Sequence, residues 1–141
     1  MGTLAKILVF VLISHTVVWG QENNGQDITV KIENLDSNKG HVYVSLYDSE
    51  NTFLGKGLKS TSSTIENNSC MVTFENVPKG IYAISFFHDE NENKKMDTNF
   101  MGIPKEDYGC SNNAKGFMGP PKWEDAKFEV GTKPITQTIT L

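Results

Sequence analysis

Hydrophobic and polar residues alternate along several short runs of this sequence. Apolar side chains occupy every second position of residues 27–33, and residues 41–47 repeat the pattern. A period of two places these side chains on one face of a β-strand, so each run predicts a half-buried strand. The intervening residues 36–40 contain Asp, Ser, Asn and Gly, which favour turns. The two strands are therefore predicted to form a hairpin.

Further strand-like runs continue to the end of the sequence. Residues 81–87 are apolar at almost every position, which is typical of a central strand covered on both faces. No helical periodicity appears in residues 21–141. About seven short strands separated by turns predict an all-β fold, an antiparallel sandwich, with a small closed barrel as the alternative. The remaining strand-like runs are 59–66, 70–75, 126–130 and 135–141.

The regular pattern stops between residues 89 and 125, where glycine and proline are frequent. A segment of this length inside a compact domain is commonly functional or flexible, but disordered segments contain few aromatic residues. We therefore expect one long ordered loop, folded as a lid and pinned by its aromatic side chains. These aromatic residues are Phe100, Tyr108, Phe117 and Trp123.

The aromatic residues of this loop support two interpretations. In the first they form the lid's own small core, because a long loop must bury apolar surface to stay ordered. In the second they form a stacking surface for a sugar or a peptide, assisted by nearby polar side chains. The residues predicted to bind a ligand in the second interpretation are Glu106, Tyr108, Asn112, Asn113 and Trp123.

Residues 1–20 have the pattern of a secretory signal peptide. A lysine precedes a short apolar core, and small or apolar residues lie before a cleavage site at Gln21. The apolar core is too short for a membrane span. We therefore expect residues 21–141 to form a single domain that is secreted, periplasmic or held at the cell surface, with no membrane span after cleavage.

The charge of the chain argues against one class of partner. The formal net charge is −4, and the basic residues are all lysines. Nucleic-acid binding requires basic patches that replace counterions on the phosphate backbone. We therefore expect no nucleic acid among the partners.

Two cysteines remain after the signal peptide, Cys70 in a predicted strand and Cys110 in the long loop. An oxidising compartment permits disulfides. A bridge that closes a loop of about 40 residues contributes about 3–4 kcal/mol in the chain-entropy model. The sequence therefore predicts a Cys70–Cys110 disulfide, with two free thiols as the alternative.

A polar stretch directly after the central strand has the spacing of a cation-binding loop. Oxygen-bearing side chains recur at alternate positions, and calcium takes six to eight oxygen ligands from such loops. A polar turn whose side chains cap its own backbone is the alternative. The predicted calcium ligands are the side chains of Asp89, Asn91, Asn93 and Asp97 and the carbonyl group of Lys95.

This stretch departs from the EF-hand pattern at two positions. Counted from Asp89, position 6 is Lys94, where an EF-hand needs glycine for a sharp turn. Position 12 is Phe100, which cannot supply the bidentate carboxylate. We therefore expect a looser calcium loop, with Glu106 or Asp107 as the nearest sources of a further ligand.

Six short motifs of the chain are shared with a known family. They are residues 80–83, 88–99, 102–106, 108–109, 111–114 and 119–121. With these motifs the chain resembles a family of secreted bacterial domains, domain-of-unknown-function family 2141. The resemblance covers about residues 27–141 and implies export and a prealbumin-like or immunoglobulin-like sandwich, with no assigned activity. Glycine is common in that family where this chain has residues 92–94, and an aromatic residue is common at Cys110.

Two hypotheses for the function come from different classes. The favoured one is a non-enzymatic secreted module, stabilised by calcium, that binds a cell-surface polymer or an exported protein. The other is a small metal-assisted enzyme that uses His88 with Asp89 or Glu106, because histidine beside carboxylates suits a general base or a transition-metal ligand.

Overall fold

The computed structural model describes residues 24–141, and the predicted signal peptide lies outside them. Within the described residues no helix is long and apolar enough to cross a bilayer. The helical elements are two 3₁₀ turns, Glu50–Thr52 and Ser111–Asn113, and the one-turn helix α1 (Trp123–Ala126). The strands are β1 (Gln26–Glu33), β2 (His41–Tyr47), β3 (Lys59–Ser63), β4 (Cys70–Val77), β5 (Gly80–Asp89), β6 (Tyr108–Cys110), β7 (Phe128–Val130) and β8 (Ile135–Thr140).

These strands form two sheets that pack face to face. One sheet has the order β4-β1-β8, and the other has the order β3-β2-β5-β6, with β7 paired to β5. The predicted all-β sandwich is confirmed, with eight strands in the described residues. The pairing is antiparallel except between β1 and β8, which are parallel. The last strand therefore enters the first sheet beside the first strand, in the same direction.

The predicted hairpin between the first two strands is wrong. β1 and β2 belong to different sheets, so the chain crosses from one sheet to the other between them. Leu35 lies in this crossing, with its side chain buried and its N–H group donating to the carbonyl of Asn68 at 2.9 Å. The turn residues therefore carry the chain over the end of the core instead of folding it back.

The core lies between the sheets and is built from the alternating apolar positions. Strand β5 contributes to it on one face through Tyr82, Ile84 and Phe86. On its other face Ala83 packs in a second cluster with Cys110 and Ala126. Strand β5 is therefore central, as its apolar sequence predicts, but its second face is only partly covered, since Ile81 is 45% exposed.

Both cysteines are free thiols in the structure, so it contains no Cys70–Cys110 disulfide. Cys70 lies on β4 in the first sheet and packs against the main core. Cys110 lies on β6 in the second sheet and belongs to the second cluster. The two side chains therefore contribute to separate hydrophobic clusters.

The long segment after β5 is ordered, but its aromatic residues do not pin it as predicted. Phe100 is 98% exposed and Phe117 is 91% exposed. Of the four aromatic residues of the segment, Trp123 alone packs against another ring, with its centroid 5.8 Å from that of Phe53 in an edge-to-face arrangement. The segment is held by polar contacts instead, and its apolar tips point outward.

Candidate metal site

The loop formed by residues 89–97 begins on the most buried strand of the sandwich. Asp89 is the last residue of β5, and it has no exposed surface. It lies opposite His41 of β2. Gly40 approaches the carbonyl group of Asp89 so closely that a Cβ atom would clash, and its φ of +68° also favours glycine. The sheet therefore fixes the start of the loop.

The Asp89 carboxylate organises the backbone of the loop. Its Oδ1 accepts a hydrogen bond from the N–H group of Asn93 at 3.2 Å, and its Oδ2 accepts one from Lys94 at 2.7 Å. Glu92 and Lys94 adopt left-handed backbone angles, with φ of 57° and 62°. The chain therefore makes a sharp turn at the position where an EF-hand uses glycine, although glycine is absent.

Three other predicted ligands converge on one another. The side-chain amide of Asn91 donates to Oδ2 of Asp97 at 2.5 Å, and that of Asn93 donates to Oδ1 at 2.6 Å. These hydrogen bonds, that of Asn93 first, lower the pKa of the Asp97 carboxyl. The loop thus surrounds a charged Asp97 with amide groups.

Glu106 joins this cluster from the following segment. Its Oε2 accepts a hydrogen bond from the N–H group of Asp97 at 3.2 Å. Burial raises the pKa of Glu106, and the charges of Asp97 and Asp89 raise it further. Within residues 24–141, none of these three carboxylates forms an ion pair with lysine or histidine. The site is therefore rich in negative charge and has no cationic side chain paired to it.

Lys95, the fifth predicted ligand, contributes its N–H group to the loop's hydrogen bonds, whereas the prediction concerned its carbonyl group. The N–H group of Lys95 donates to Oδ1 of Asn93 at 2.9 Å. Across the described part of the chain, no three His, Cys, Asp or Glu side chains are arranged to hold a metal ion by themselves. A calcium ion in this loop would therefore need asparagine and carbonyl oxygens as well as carboxylates.

His88 is enclosed beside this loop. It has no exposed surface, and its Nε2–H donates to the carbonyl of Lys39 at 2.6 Å. Its Nδ1 has no hydrogen-bond partner and lies 3.8 Å from Glu90 Oε1 and 4.0 Å from Asp107 Oδ2. The nearest acids are thus Glu90 and Asp107, and not the Asp89 and Glu106 that the enzyme hypothesis pairs with His88. A buried imidazole of this kind has no access to a substrate.

The predicted ligand-binding asparagines have structural contacts. The amide of Asn112 donates to the carbonyl of Lys127 at 2.8 Å, and its Oδ1 accepts from the side chain of Gln137 at 3.2 Å. Oδ1 of Asn113 accepts from the N–H group of Thr140 at 2.9 Å. These asparagines attach the 3₁₀ turn to the end of the chain.

The other predicted binding residues are dispersed. Trp123 packs against Phe53, and Glu106 belongs to the calcium-loop cluster. Tyr108 is 39% exposed and lies on β6 opposite Phe87. The structure therefore does not assemble the five residues into one binding surface.

Fold and site together define a two-sheet β-sandwich domain with an acidic, asparagine-rich loop at the end of its central strand. A family model described as "Uncharacterized protein conserved in bacteria (DUF2141)" matches residues 30–138, and the chain belongs to this family. Searches of curated proteins and of solved structures gave no match.

Proposed function

We propose that this protein is an exported, non-enzymatic binding module whose loop at residues 89–97 binds Ca²⁺ and is stabilised by it. One observation carries the proposal. The fully buried carboxylate of Asp89 lies in a cluster with Asp97 and Glu106, and none of the three is paired with a cationic side chain. Buried charges are normally paired or coordinate a metal.

The side chains around Asp97 are of the kind that calcium prefers. Carboxylate, amide and carbonyl oxygens are the ligands of Ca²⁺ at 2.3–2.6 Å. The N–H groups of Asn91 and Asn93 supply Asp97 with positive partial charge. Rotation of each amide about its Cβ–Cγ bond would present the oxygen atom instead, so that a cation could replace those two hydrogen bonds.

We expect weak affinity, because the loop holds few formal charges and makes its turn without glycine. A dissociation constant on the order of 10⁻⁴ M or higher is appropriate for an extracellular module. A hundredfold excess of Ca²⁺ over that constant stabilises the folded state by about 2.7 kcal/mol. For a domain of this size the melting temperature then rises by about 10 °C.

The test is a melting curve measured in about 10 mM Ca²⁺ and again in chelator. The wild type should melt higher in Ca²⁺, and chelator should reverse the shift. Asp89→Ala should abolish the shift, and Asp97→Asn should reduce it while leaving the buried strand intact. Asp48→Ala removes an exposed carboxylate elsewhere and should keep the full shift. A wild-type melting curve that Ca²⁺ does not move would refute calcium binding.

The partner in this proposal is an extended segment of an exported protein or a cell-surface polymer. Strand β4 is one edge of the first sheet and β3 is one edge of the second, and residues of both strands line a groove of about 540 Å³. Edge strands offer unpaired backbone groups to an extended ligand. The residues lining the groove are Lys59, Ser60, Thr61, Thr73, Phe74, Glu75 and Asn76.

This groove favours the protein partner of the two predicted classes. A displayed library of random peptides is selected on the wild type alone, and the binding of the selected peptides to the wild type and to Thr61→Trp is then compared. Peptides that bind the wild type and not the variant would support it. If the selected peptides bind both proteins equally, the groove is not the binding surface.

A further inference from the structure

One end of the sandwich holds a histidine nitrogen that has no hydrogen-bond partner. His88 lies on the core face of β5, in phase with Ile84 and Phe86, and it has no exposed surface. Among the described residues, its Nδ1 is the buried side-chain atom without a partner. Buried polar atoms are normally paired, and an orphaned one points to an ion or a water that binds beside it.

The hydrogen bond on the other side of the ring orients this nitrogen as a ligand. The carbonyl of Lys39 can only accept, so Nε2 carries the proton of the 2.6 Å hydrogen bond and Nδ1 keeps a lone pair. That lone pair lies near two carboxylates, 3.8 Å from Oε1 of Glu90 and 4.0 Å from Oδ2 of Asp107. Histidines that bind metals almost always donate their other N–H group to a carbonyl or a carboxylate in this way.

The distances favour a metal ion over a proton between these groups. A hydrogen bond from nitrogen to oxygen is about 2.7–3.2 Å long, so a proton on Nδ1 would reach neither carboxylate. Two atoms that bind one zinc ion at about 2.0–2.2 Å are about 3.4 Å apart in tetrahedral geometry and at most about 4.3 Å apart. The three side chains are not arranged to hold an ion as they lie. Glu90, whose side chain is 42% exposed, can make the inward movement of about half an ångström that tetrahedral geometry requires.

Polar groups of the crossing between the two sheets hold both carboxylates. Oδ2 of Asp107 accepts a hydrogen bond from the N–H group of Asp36 at 3.2 Å, and Oε1 of Glu90 accepts one from the hydroxyl of Ser37 at 3.3 Å. The N–H group of His88 donates to the carbonyl of Asp107 at 2.8 Å. Hydrogen bonds of this kind orient the carboxylates that bind metals. The three groups are therefore framed by β5, by the crossing and by the residue before β6.

We propose that Nδ1 of His88 and the carboxylates of Glu90 and Asp107 bind a divalent transition-metal ion such as Zn²⁺, with water as a fourth ligand. Imidazole nitrogen suits zinc and its neighbours in the first transition row, whereas calcium takes oxygen ligands. The role of the ion is structural, because His88 is closed to substrates. The ion fastens the crossing between the sheets to the end of the central strand.

This site shares no side chain with the calcium loop. The adjacent residues Glu106 and Asp107 diverge: Glu106 accepts the N–H group of Asp97, whereas Asp107 lies beside His88. Zinc binding here therefore does not depend on calcium binding, and each can fail without the other.

The test is a calorimetric titration of the untagged protein with Zn²⁺ in a buffer that contains excess Ca²⁺. We expect a single Zn²⁺ ion to bind each chain. Glu90→Gln and Asp107→Asn should each weaken binding at least about tenfold. Both variants should melt in Ca²⁺ and in chelator with the same difference as the wild type. A wild type that does not bind Zn²⁺, or variants that bind it as tightly as the wild type, would overturn the proposal.

The other histidine of the described chain supplies a matched control. His41 is exposed and lies 3.0 Å from Glu92, and His41→Gln should bind Zn²⁺ as the wild type does. Loss of binding in His41→Gln would place the ion at that surface pair and overturn the assignment.

A substitution of buried His88 can unfold the end of β5, so the ring itself is observed by nitrogen NMR. Zn²⁺ should shift the Nδ1 signal of His88 and leave Nε2 protonated. Zinc binding without a change at Nδ1 would also contradict the proposal.

Discussion

Two adjacent lysines in the calcium loop should respond in opposite directions to the same substitution. Lys94 has a left-handed backbone with φ of 62°, whereas Lys95 is not among the residues with positive φ. Both are exposed, and the Lys94 side chain forms no ion pair among the described residues. We predict that Lys94→Gly stabilises the fold and that Lys95→Gly destabilises it.

The expected change in the free energy of unfolding follows from the backbone conformation at positions 94 and 95. A residue with a Cβ atom loses about 1–2 kcal/mol in the left-handed region, and glycine costs about 0.5–1 kcal/mol through the greater freedom of the unfolded chain. The difference leaves Lys94→Gly more stable by about 0.5–1 kcal/mol. Lys95→Gly has only the entropic cost and should lose about 0.5–1 kcal/mol. The hydrogen bond from residue 94 to Asp89 is a backbone bond, so the substitution preserves it.

The assay is urea unfolding in chelator, which isolates the backbone effect from any effect of Ca²⁺. Each variant removes one positive charge, so the comparison between them cancels the electrostatic change. The midpoints should move in opposite directions about the wild type, and the melting temperatures should differ by about 4–8 °C. Lys94→Ala retains the strained backbone and should behave as the wild type does. Equal effects of glycine at positions 94 and 95 would refute the reasoning.

Two further predictions concern the two cysteine thiols and the Ser111 hydroxyl. Burial raises the pKa of Cys70 from 9.0 to about 11 and that of Cys110 to about 12. Both thiols should therefore react slowly with a disulfide reagent in the native state at pH 8. In denaturant without reductant both should react completely. Because the folded pKa values are raised, the contribution of the neutral thiols to stability is complete below pH 9 and is lost as the pH rises towards 11–12. A chain without reactive thiols in denaturant would contain the disulfide after all. The buried hydroxyl of Ser111 accepts a hydrogen bond from the N–H group of Ile84 at 3.0 Å and donates one to the carbonyl of Ala126 at 2.5 Å. Ser111→Ala should therefore lower the free energy of unfolding in urea by about 1–3 kcal/mol. The control Ser60→Ala, at an exposed serine, should change it by less than about 0.5 kcal/mol.

The sequence predicts the strands well because burial on one face imposes a period of two. The alternate apolar residues of β1 and β2 are the ones that form the core, where Ile28, Val30 and Val42 are fully buried. It does not predict which strands pair, because pairing depends on contacts distant in the chain. The first connection shows this: its turn residues fit a hairpin, but Leu35 is buried at the sandwich end and draws the chain to the other sheet.

The long segment was harder to predict, since polar contacts determine its path. Asn112 and Asn113 have the composition of binding residues, but hydrogen bonds to β8 and to the end of α1 occupy their side chains. The aromatic content of the segment predicts that it is ordered, but it does not predict which aromatic side chains are buried. Phe100 and Phe117 are in fact exposed. The left-handed angles of Asn112 and Asn113 are a sign of structural turns, but asparagine in the sequence alone does not distinguish a turn from a ligand site.

Asp97 connects the calcium loop to the hairpin that follows it, which the Thr98–Pro104 bridge closes. Its side chain is part of the loop that we expect to bind Ca²⁺, and its carbonyl accepts a hydrogen bond from the N–H group of Lys105 at the base of the hairpin. A ligand that holds Asp97 in one position would also hold the base of the hairpin, because the two contacts share one residue. Calcium binding should therefore reduce hydrogen exchange at the N–H groups of Lys105 and Ile103 as well as in the loop itself. Protection confined to residues 89–97 would show that the loop and the hairpin are independent elements.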